Sequence, residues 1–269
     1  MNILVGADPE VFMFKDGKPV SAFGVIKGTK REPFKVKDGA VQVDGMALEF
    51  NIDPANSEEI FANNIKSVMA TLKEMVPGYE LIATPVAEFG YDYIKQQPQE
   101  ALELGCDPDF NAWEDGLVNP RPNGDNPFRT GAGHVHIGWT NGQSVWDQDH
   151  VDAGIIATKQ LDFFLGLPSL FFDKDVKRRT MYGAPGAFRT KHYGVEYRVL
   201  SNAWLKSEEL IRWVYNNTQD GIKRLMSGER VFNGGEKLVS EMVKEKPNMN
   251  KIEKFLSKNN INLPPSVGV

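Results

Sequence analysis

Two histidines separated by one residue stand in the glycine-flanked segment Gly131 to Trp139, and they are the residues with the clearest chemical potential in this chain. Val135 and Ile137 favour β-structure, so the segment is predicted to form a short buried strand. Because side chains alternate along a strand, His134 and His136 are predicted to project from the same face. Two imidazoles on one face suit a metal ion or an anionic ligand. The alternative is two partly buried histidines that hydrogen-bond to their neighbours.

Three further pairs of polar residues have the same spacing and lie in segments predicted to form strands. They are Asp8 and Glu10, Glu49 and Asn51, and Glu196 and Arg198. Each pair alone is explained by a solvent-facing strand or, for the last pair, by an ion pair between its own two members. All four pairs together predict a curved sheet with a polar concave face. Such a face costs too much desolvation free energy unless charges and metal ions occupy it together.

The residue types on this predicted face indicate which ligands it suits. Carboxylates and imidazoles hold divalent cations, and arginine side chains suit phosphate oxygens. The arginines concerned are Arg129, Arg178, Arg179, Arg189 and Arg198. Two histidines alone would favour zinc, whereas the abundance of carboxylates and arginines favours magnesium and phosphate chemistry.

Turn and capping signals predict the elements that position these residues. The turns Asp16-Gly17 and Asp44-Gly45 predict hairpins, and the turn-like Asp8-Pro9 predicts a hairpin or a bent strand pair at the start of the chain. The stretch from Asn111 to Asn126 is predicted to be a long ordered loop that ends against the histidine strand. The basic run Lys27 to Arg31 is interpreted as a solvated turn without chemistry. Helices are predicted after Asn56-Ser57, over Asp147 to Leu167, after Ser207, and between Gly235 and Phe255.

Length and composition limit the classes of function. The 269 residues, 41% hydrophobic and 25% charged, are ordinary for a soluble globular protein, and we expect one catalytic domain over 1–260 with a tail over 261–269. The net charge of -5 disfavours nucleic-acid and acidic-membrane partners. The single cysteine, Cys106, excludes an intrachain disulfide and a multi-thiolate zinc site. No signal peptide or membrane span is predicted, so a cytoplasmic location is expected, in the host if the chain is phage-encoded.

Several of these segments resemble a known superfamily. GAGHVHIGW is similar to the Gly-Ser-Gly-x-His-x-His element of the glutamine synthetase superfamily, and GVEYRVLSN resembles its Arg-x-Glu-x-Arg strand. GADPEVF, VDGMALEFN, GHVHIG and GVEYRVLSN, in this order over about three quarters of the chain, more closely resemble its phage-type carboxyl-amine ligases of type 2. The resemblance implies an α+β fold, in which helices back a curved antiparallel sheet that binds ATP with two or three magnesium or manganese ions.

The resemblance also implies roles for individual residues. It places Glu10 and Glu49 on metal, with Asp8 as a further ligand at a position where many relatives have Glu. It places His134 and Glu196 on the metal that bridges the phosphates, with Glu196 also counted among the catalytic residues. The remaining expected roles are nucleotide binding by His136, Arg129, Arg179 and Asn51, and neutralisation of the transferred phosphoryl group by Arg189 and Arg198. The glycine-to-histidine spacing is one residue shorter than in glutamine synthetases proper, and no N-terminal β-grasp domain is apparent. The resemblance therefore does not identify the carboxylate substrate or the amine substrate.

The function expected from these observations is an ATP-dependent carboxylate-amine ligase that works through an acyl phosphate. Its partners would be ATP and small-molecule or peptide carboxylates and amines, and a homo-oligomer stays open. One alternative is a guanidino-type kinase of the same fold, which stops after phosphorylation. The other is a non-catalytic protein that binds ATP and metal.

Overall fold

Seven of the eight residues in the polar pairs lie on strands of one large antiparallel sheet, and Arg198 directly follows the strand that carries Glu196. The computed structural model describes residues 3–102, 108–121 and 124–266. Its strands are β1 (Leu4–Lys15), β2 (Lys18–Val20), β3 (Phe34–Val36), β4 (Gly39–Asp44), β5 (Ala47–Ile52), β6 (Glu80–Ile82), β7 (Val86–Glu88), β8 (Phe110–Asn111), β9 (Leu117–Val118), β10 (Phe128–Thr130), β11 (Gly133–Gly138), β12 (Ala187–Lys191) and β13 (Gly194–Tyr197).

The helices lie mainly in the second half of the chain. They are α1 (Glu58–Met75), α2 (Tyr91–Lys95), α3 (Gln99–Leu102), α4 (Gln148–Leu161), α5 (Leu167–Ser169), α6 (Lys177–Met181), α7 (Glu208–Met226), α8 (Glu236–Val239) and α9 (Met249–Lys258). Short 3₁₀ helices cover Ala112–Glu114, Asn202–Lys206 and Ser240–Val243, and a π-helical segment, Asp162–Gly166, joins α4 to α5. Among the helices of the described residues, none combines the length and apolar character that a membrane crossing requires.

The main sheet has the strand order β3-β4-β5-β1-β11-β13-β12-β8-β9, while β2 and β6 both pair with the end of β1, and β7 pairs with β10 in a separate small sheet. The pairings are antiparallel. The coarse part of the predicted α+β fold, a large antiparallel sheet combined with helices, is thereby confirmed.

Strand β1 runs through Pro9 without a break, so the predicted hairpin or bent strand pair at this point is wrong. Proline removes one donor from the ladder, but Pro9 still pairs with Gly133, and Glu10 N donates to Ala132 O at 2.9 Å. Because the strand continues, Asp8 and Glu10 project from the same face.

The register of the sheet sets the polar residues opposite one another. Asp8 pairs with His134, and Glu10 pairs with Glu49 on the other neighbouring strand. Glu196 lies between His136 on β11 and Arg189 on β12. Neighbouring residues in such pairs are about 5 Å apart, so the register alone assembles the charged groups.

The opposite face of the sheet is apolar and carries the main core. Leu48, Phe50, Val135, Ile137 and Val195 are fully buried there. Helix α1 contacts β4 and β5, α4 contacts β12 and β13, and α7 packs across both helices. Each fully buried side chain of this size contributes roughly 1.5–3 kcal/mol, which holds the strands in the register that the polar face requires.

The predicted hairpin turns at Asp16-Gly17 and Asp44-Gly45 and the predicted helix starts are confirmed. Asp16 and Gly17 both have positive φ, as a two-residue hairpin turn requires, and Asp44 and Ala47 pair across the second turn. Serine side chains cap α1 and α7, and an aspartate caps α4.

Two segments differ from their predictions. The predicted loop from Asn111 to Asn126 contains a 3₁₀ helix and the short strand β9, which pairs with β8. The predicted tail begins as packed structure, because Ile261 is buried and Asn262 O accepts a hydrogen bond from Trp213 Nε1 at 3.1 Å. Cys106, residues 122–123 and the end of the tail at 267–269 lie outside the described residues.

Candidate active site

A cavity of about 310 Å³ opens on the polar face of the sheet. Eight residues predicted for the site line it, namely Asp8, Glu10, Glu49, Arg129, His134, Arg189, Glu196 and Arg198. The structure therefore brings together residues that are up to 190 positions apart in the sequence.

The first acidic cluster consists of Asp8, His134 and Glu196, whose candidate ligand atoms all lie within 4.8 Å of one another. Asp8 Oδ1 is 3.2 Å from His134 Nδ1 and 3.0 Å from His136 Nε2. His134 Nδ1 is 3.5 Å from Glu196 Oε1. Two carboxylates and an imidazole nitrogen at this spacing form a donor set suited to a divalent cation.

The second acidic cluster consists of Glu10, Asp44 and Glu49, and it contains only carboxylates. Glu10 Oε2 accepts a hydrogen bond from Ala132 N at 2.8 Å, and Glu49 Oε2 accepts one from Gln42 Nε2 at 2.8 Å. Lys30 Nζ lies 2.7 Å from Asp44 Oδ2. An oxygen-only donor set of this kind is the type that magnesium prefers.

The two clusters differ in their electrostatics. Burial and then the nearby Asp44 raise the pKa of Glu10 to about 7, and burial, together with three neighbouring acids, holds the pKa of Glu49 well above its ordinary value. In the first cluster burial also acts to raise the carboxyl pKa values, but the two histidines lower the pKa of Asp8, and Arg198 is the largest influence that lowers the pKa of Glu196. The second cluster thus holds mutually repelling acids, and a divalent cation would relieve that repulsion.

Three basic side chains surround Glu196, which is 1% exposed. Arg198 contacts its Oε1, Arg189 NH1 lies 3.3 Å from the same oxygen, and Lys191 Nζ lies 2.8 Å from Oε2. Arg198 is also held by Asp109, whose Oδ2 is 3.1 Å from its Nε. The guanidinium groups are therefore fixed beside the first cluster, as binding of a phosphoryl group would require.

A second cavity, of about 620 Å³, adjoins the first and shares Asp8, Lys30, Gln42 and Glu49 with it. The predicted nucleotide-binding residues His136 and Asn51 line this cavity rather than the first one. His136 Nδ1 contacts the hydroxyl of Tyr193. Apolar and aromatic residues make up much of the remaining wall, namely Leu4, Pro33, Ile52, Pro54, Trp139 and Tyr193.

Arg179 lines neither cavity. Its side chain is 3% exposed, and NH2 lies 3.0 Å from Asp173 Oδ2. It also donates to the carbonyl oxygens of Asp173 and Asp175, each at 2.9 Å. The structure thus assigns Arg179 to a buried ion pair, while its neighbour Arg178 lines the first cavity.

Sequence reasoning missed several residues of the site. Gln42 and Asp44 lie two positions apart on β4, and Lys191 lies two positions after Arg189 on β12. The two-residue spacing that identified the other pairs would therefore have found all three. Lys30 lies in the run interpreted as a solvated turn, yet its side chain reaches Asp44 and lines both cavities. Lys30 precedes β3 and Asp44 ends β4, so the alternation rule within a single strand does not indicate their contact.

One family model matches part of the chain. Residues 126–219 match the family model described as Phage phiEco32-like COOH.NH2 ligase-type 2. The matched segment contains β11, β12 and β13, and so includes the basic groups around Glu196 and the two histidines. Asp8, Glu10 and Glu49 lie outside it. No curated protein matches the chain.

Proposed function

We propose that this chain is an ATP-dependent carboxylate-amine ligase, because residues 126–219 match the family model of phage phiEco32-like COOH·NH2 ligases of type 2. The family name indicates the joining of a carboxylate to an amine. In the reaction that we propose, the γ-phosphate of ATP is transferred to the carboxylate and ADP leaves. The amine then attacks the acyl carbon, phosphate departs, and an amide remains.

The observation that carries this proposal is the presence of two adjacent clusters of potential metal ligands on one sheet face. Asp8, His134 and Glu196 would hold one divalent cation, and Glu10, Asp44 and Glu49 would hold another. The donor sets fit magnesium or manganese, and bound ions of this kind would neutralise phosphate charge. Without bound metal ions, six such ligand groups on one face of the sheet would carry a large desolvation cost.

The second cavity supports nucleotide binding. Its apolar wall and the rings of Trp139 and Tyr193 suit a purine base, and His136 and Asn51 offer polar groups. A nucleoside in this cavity would direct its phosphates toward the shared border at Asp8 and Glu49.

The chain's own basic residues would act on the transferred phosphoryl group. Arg189 and Arg198 lie beside Glu196. Their planar guanidinium groups would donate paired hydrogen bonds to phosphate oxygens. No protein side chain needs to become a covalent intermediate in this reaction. Most of the rate would come from positioning and from fixed charges that screen the developing negative charge.

A hydroxylamine assay tests the proposal. Hydroxylamine replaces the natural amine in the presence of ATP, magnesium and a panel of amino acids and peptides with free carboxylates, and it should trap the acyl phosphate as a hydroxamate while phosphate is released. Arg198→Lys should lower the hydroxamate rate by about 10- to 100-fold and ATP affinity by less, because a point charge does not reproduce the two-pronged contact. Arg212→Lys is the control, since Arg212 pairs with Glu58 and Glu208 and lines neither cavity.

The alternatives give different products. A guanidino-type kinase would release ADP only with a guanidine acceptor and would yield no hydroxamate. A non-catalytic ATP-binding protein would give neither product. Phosphate release that never depends on a carboxylate would contradict the ligase.

A further inference from the structure

Two buried arginines line the first cavity without a described carboxylate at ion-pairing distance. Arg129 and Arg178 are 7% and 1% exposed. In the described part of the chain, neither forms an ion pair with a carboxylate, and the Nε of each is buried without a hydrogen-bond partner. Both guanidinium groups are held by backbone carbonyls, which fix their position without supplying a negative charge.

This arrangement is costly for the protein alone. Burial lowers the pKa of Arg178 to about 10 although the carboxylates of Glu10 and Asp173 act to raise it, so the side chain stays protonated at neutral pH without a carboxylate in direct contact. Arg179, the next residue and almost equally buried, is paired with Asp173 at 3.0 Å. A buried cation without a partner is strongly unfavourable, and an anionic ligand in the cavity would remove that cost.

The position of these arginines indicates which anion they bind. Along β1, Gly6 lines the second cavity, Asp8 lines both, and Glu10 and Phe12 line the first, beside Arg129 and Arg178. At about 3.4 Å per residue, Gly6 and Phe12 lie roughly 20 Å apart, with the acidic clusters between them. The arginines thus face the end of the site opposite to the proposed nucleoside cavity, where the acceptor substrate would lie.

We propose that Arg129 and Arg178 anchor a carboxylate of the acceptor substrate that takes no part in the reaction. The inference rests on the proposed ligase function. The acceptor must then carry this carboxylate in addition to its reacting carboxylate or amine. Amino acids carry such a combination, as do peptides that have a free C-terminal carboxylate. A cavity of about 310 Å³ suits a group of this size.

A binding experiment without turnover tests the anchor. The probes are the standard L-amino acids and a set of dipeptides, each paired with its own C-terminal amide. Thermal-shift measurements select the probes that bind, and calorimetry gives their affinities with and without magnesium and the non-hydrolysable ATP analogue AMP-PNP. The acid form of a binding probe should bind at least about tenfold more tightly than its amide, because a charge-assisted contact is lost in the amide.

Variants assign that difference to the arginines. Arg129→Gln and Arg178→Lys should each weaken binding of the acid form about tenfold and leave the amide nearly unchanged. Arg178→Lys retains the positive charge near the Val199 carbonyl, and circular dichroism checks that both variants fold. The matched control is Arg224→Lys, because Arg224 also donates to two backbone carbonyls but lies outside both cavities.

Three results would overturn the anchor. The first is that no probe binds, and the second is that the acid and amide forms bind equally. The third is that the arginine variants lose affinity for AMP-PNP and not for the probe, which would assign the arginines to phosphate binding. Failure of the ligase proposal is distinguishable, since it would abolish hydroxamate formation while the difference between acid and amide binding remained.

Discussion

The all-carboxylate cluster leads to a specific prediction about stability. Glu10 and Glu49 pair across β1 and β5, and Asp44 completes the cluster. We predict that Glu10→Gln stabilises the metal-free protein at alkaline pH. The amide has the same shape and retains an acceptor for Ala132 N, which lies 2.8 Å from Glu10 Oε2, but it removes one of the repelling charges.

The sign and size of this effect follow from the pKa of Glu10. Burial and Asp44 raise it from 4.5 to about 7, so the folded protein binds the proton more tightly than the unfolded chain does. The wild type therefore loses stability relative to the variant as pH rises from about 4.5 through about 7. At ~1.36 kcal/mol per pKa unit, the loss is at most about 3 kcal/mol. Because Glu10 is half-buried, solvent screening makes about 2 kcal/mol the expected value.

Urea denaturation in a chelating buffer measures this difference. The free energy of unfolding of Glu10→Gln minus that of the wild type should grow by about 2 kcal/mol between about pH 4 and about pH 8. Glu59→Gln, at an exposed position of α1, should show no such growth. Added magnesium should stabilise the wild type more than Glu10→Gln at the alkaline end. A difference that stays constant across the pH range would refute the argument from cluster repulsion.

Three further predictions concern metal, catalysis and packing. Calorimetry should show ATP affinity falling at least about tenfold when EDTA removes divalent cations, and unchanged affinity would contradict the metal-bridged nucleotide. His134→Ala and Glu196→Gln should each lower hydroxamate formation about 100-fold or more with an unchanged circular dichroism spectrum; loss of the folded spectrum would instead favour a structural role. Gly133→Ala should lower the melting temperature strongly, because its Cβ would lie 2.3 Å from Ser201 O and 2.4 Å from Trp204 Nε1. In Gly138→Ala, on the same strand, the added Cβ would have no neighbour closer than 3.7 Å, so this variant should keep the wild-type melting temperature. Equal melting temperatures for the two variants would contradict the close-packing argument.

The parts of the site that could be predicted from sequence are those encoded by strand alternation. Polar residues two apart on a strand share a face, and this local rule places Asp8 with Glu10 and His134 with His136. It required no knowledge of which strands are neighbours. The pairing of Glu10 with Glu49, by contrast, depends on the register between strands, which the sequence does not state directly.

Other features are set by non-local packing. Arg178 and Arg179 are adjacent on α6, and a helix separates successive side chains by about 100°, so one arginine lines the cavity while the other pairs with Asp173. Because α6 is so short, it has no apolar stripe that would predict which of the two arginines faces the cavity. Gly133, just before the two histidines, leaves room for the Ser201 backbone and the Trp204 ring, a contact that no local pattern indicates.

The continuous pairing of β1 has a consequence for how this chain tolerates changes in length. Inserting one residue between Asp8 and Glu10 would turn the two carboxylates to opposite faces, and inserting one anywhere in the strand would shift every later partner. By contrast, extra residues at the Asp16-Gly17 turn would leave the pairing of Asp8 and Glu10 intact. Insertions and deletions among descendants of this sequence should therefore collect in the turns, while the strand lengths stay fixed even where the side chains change.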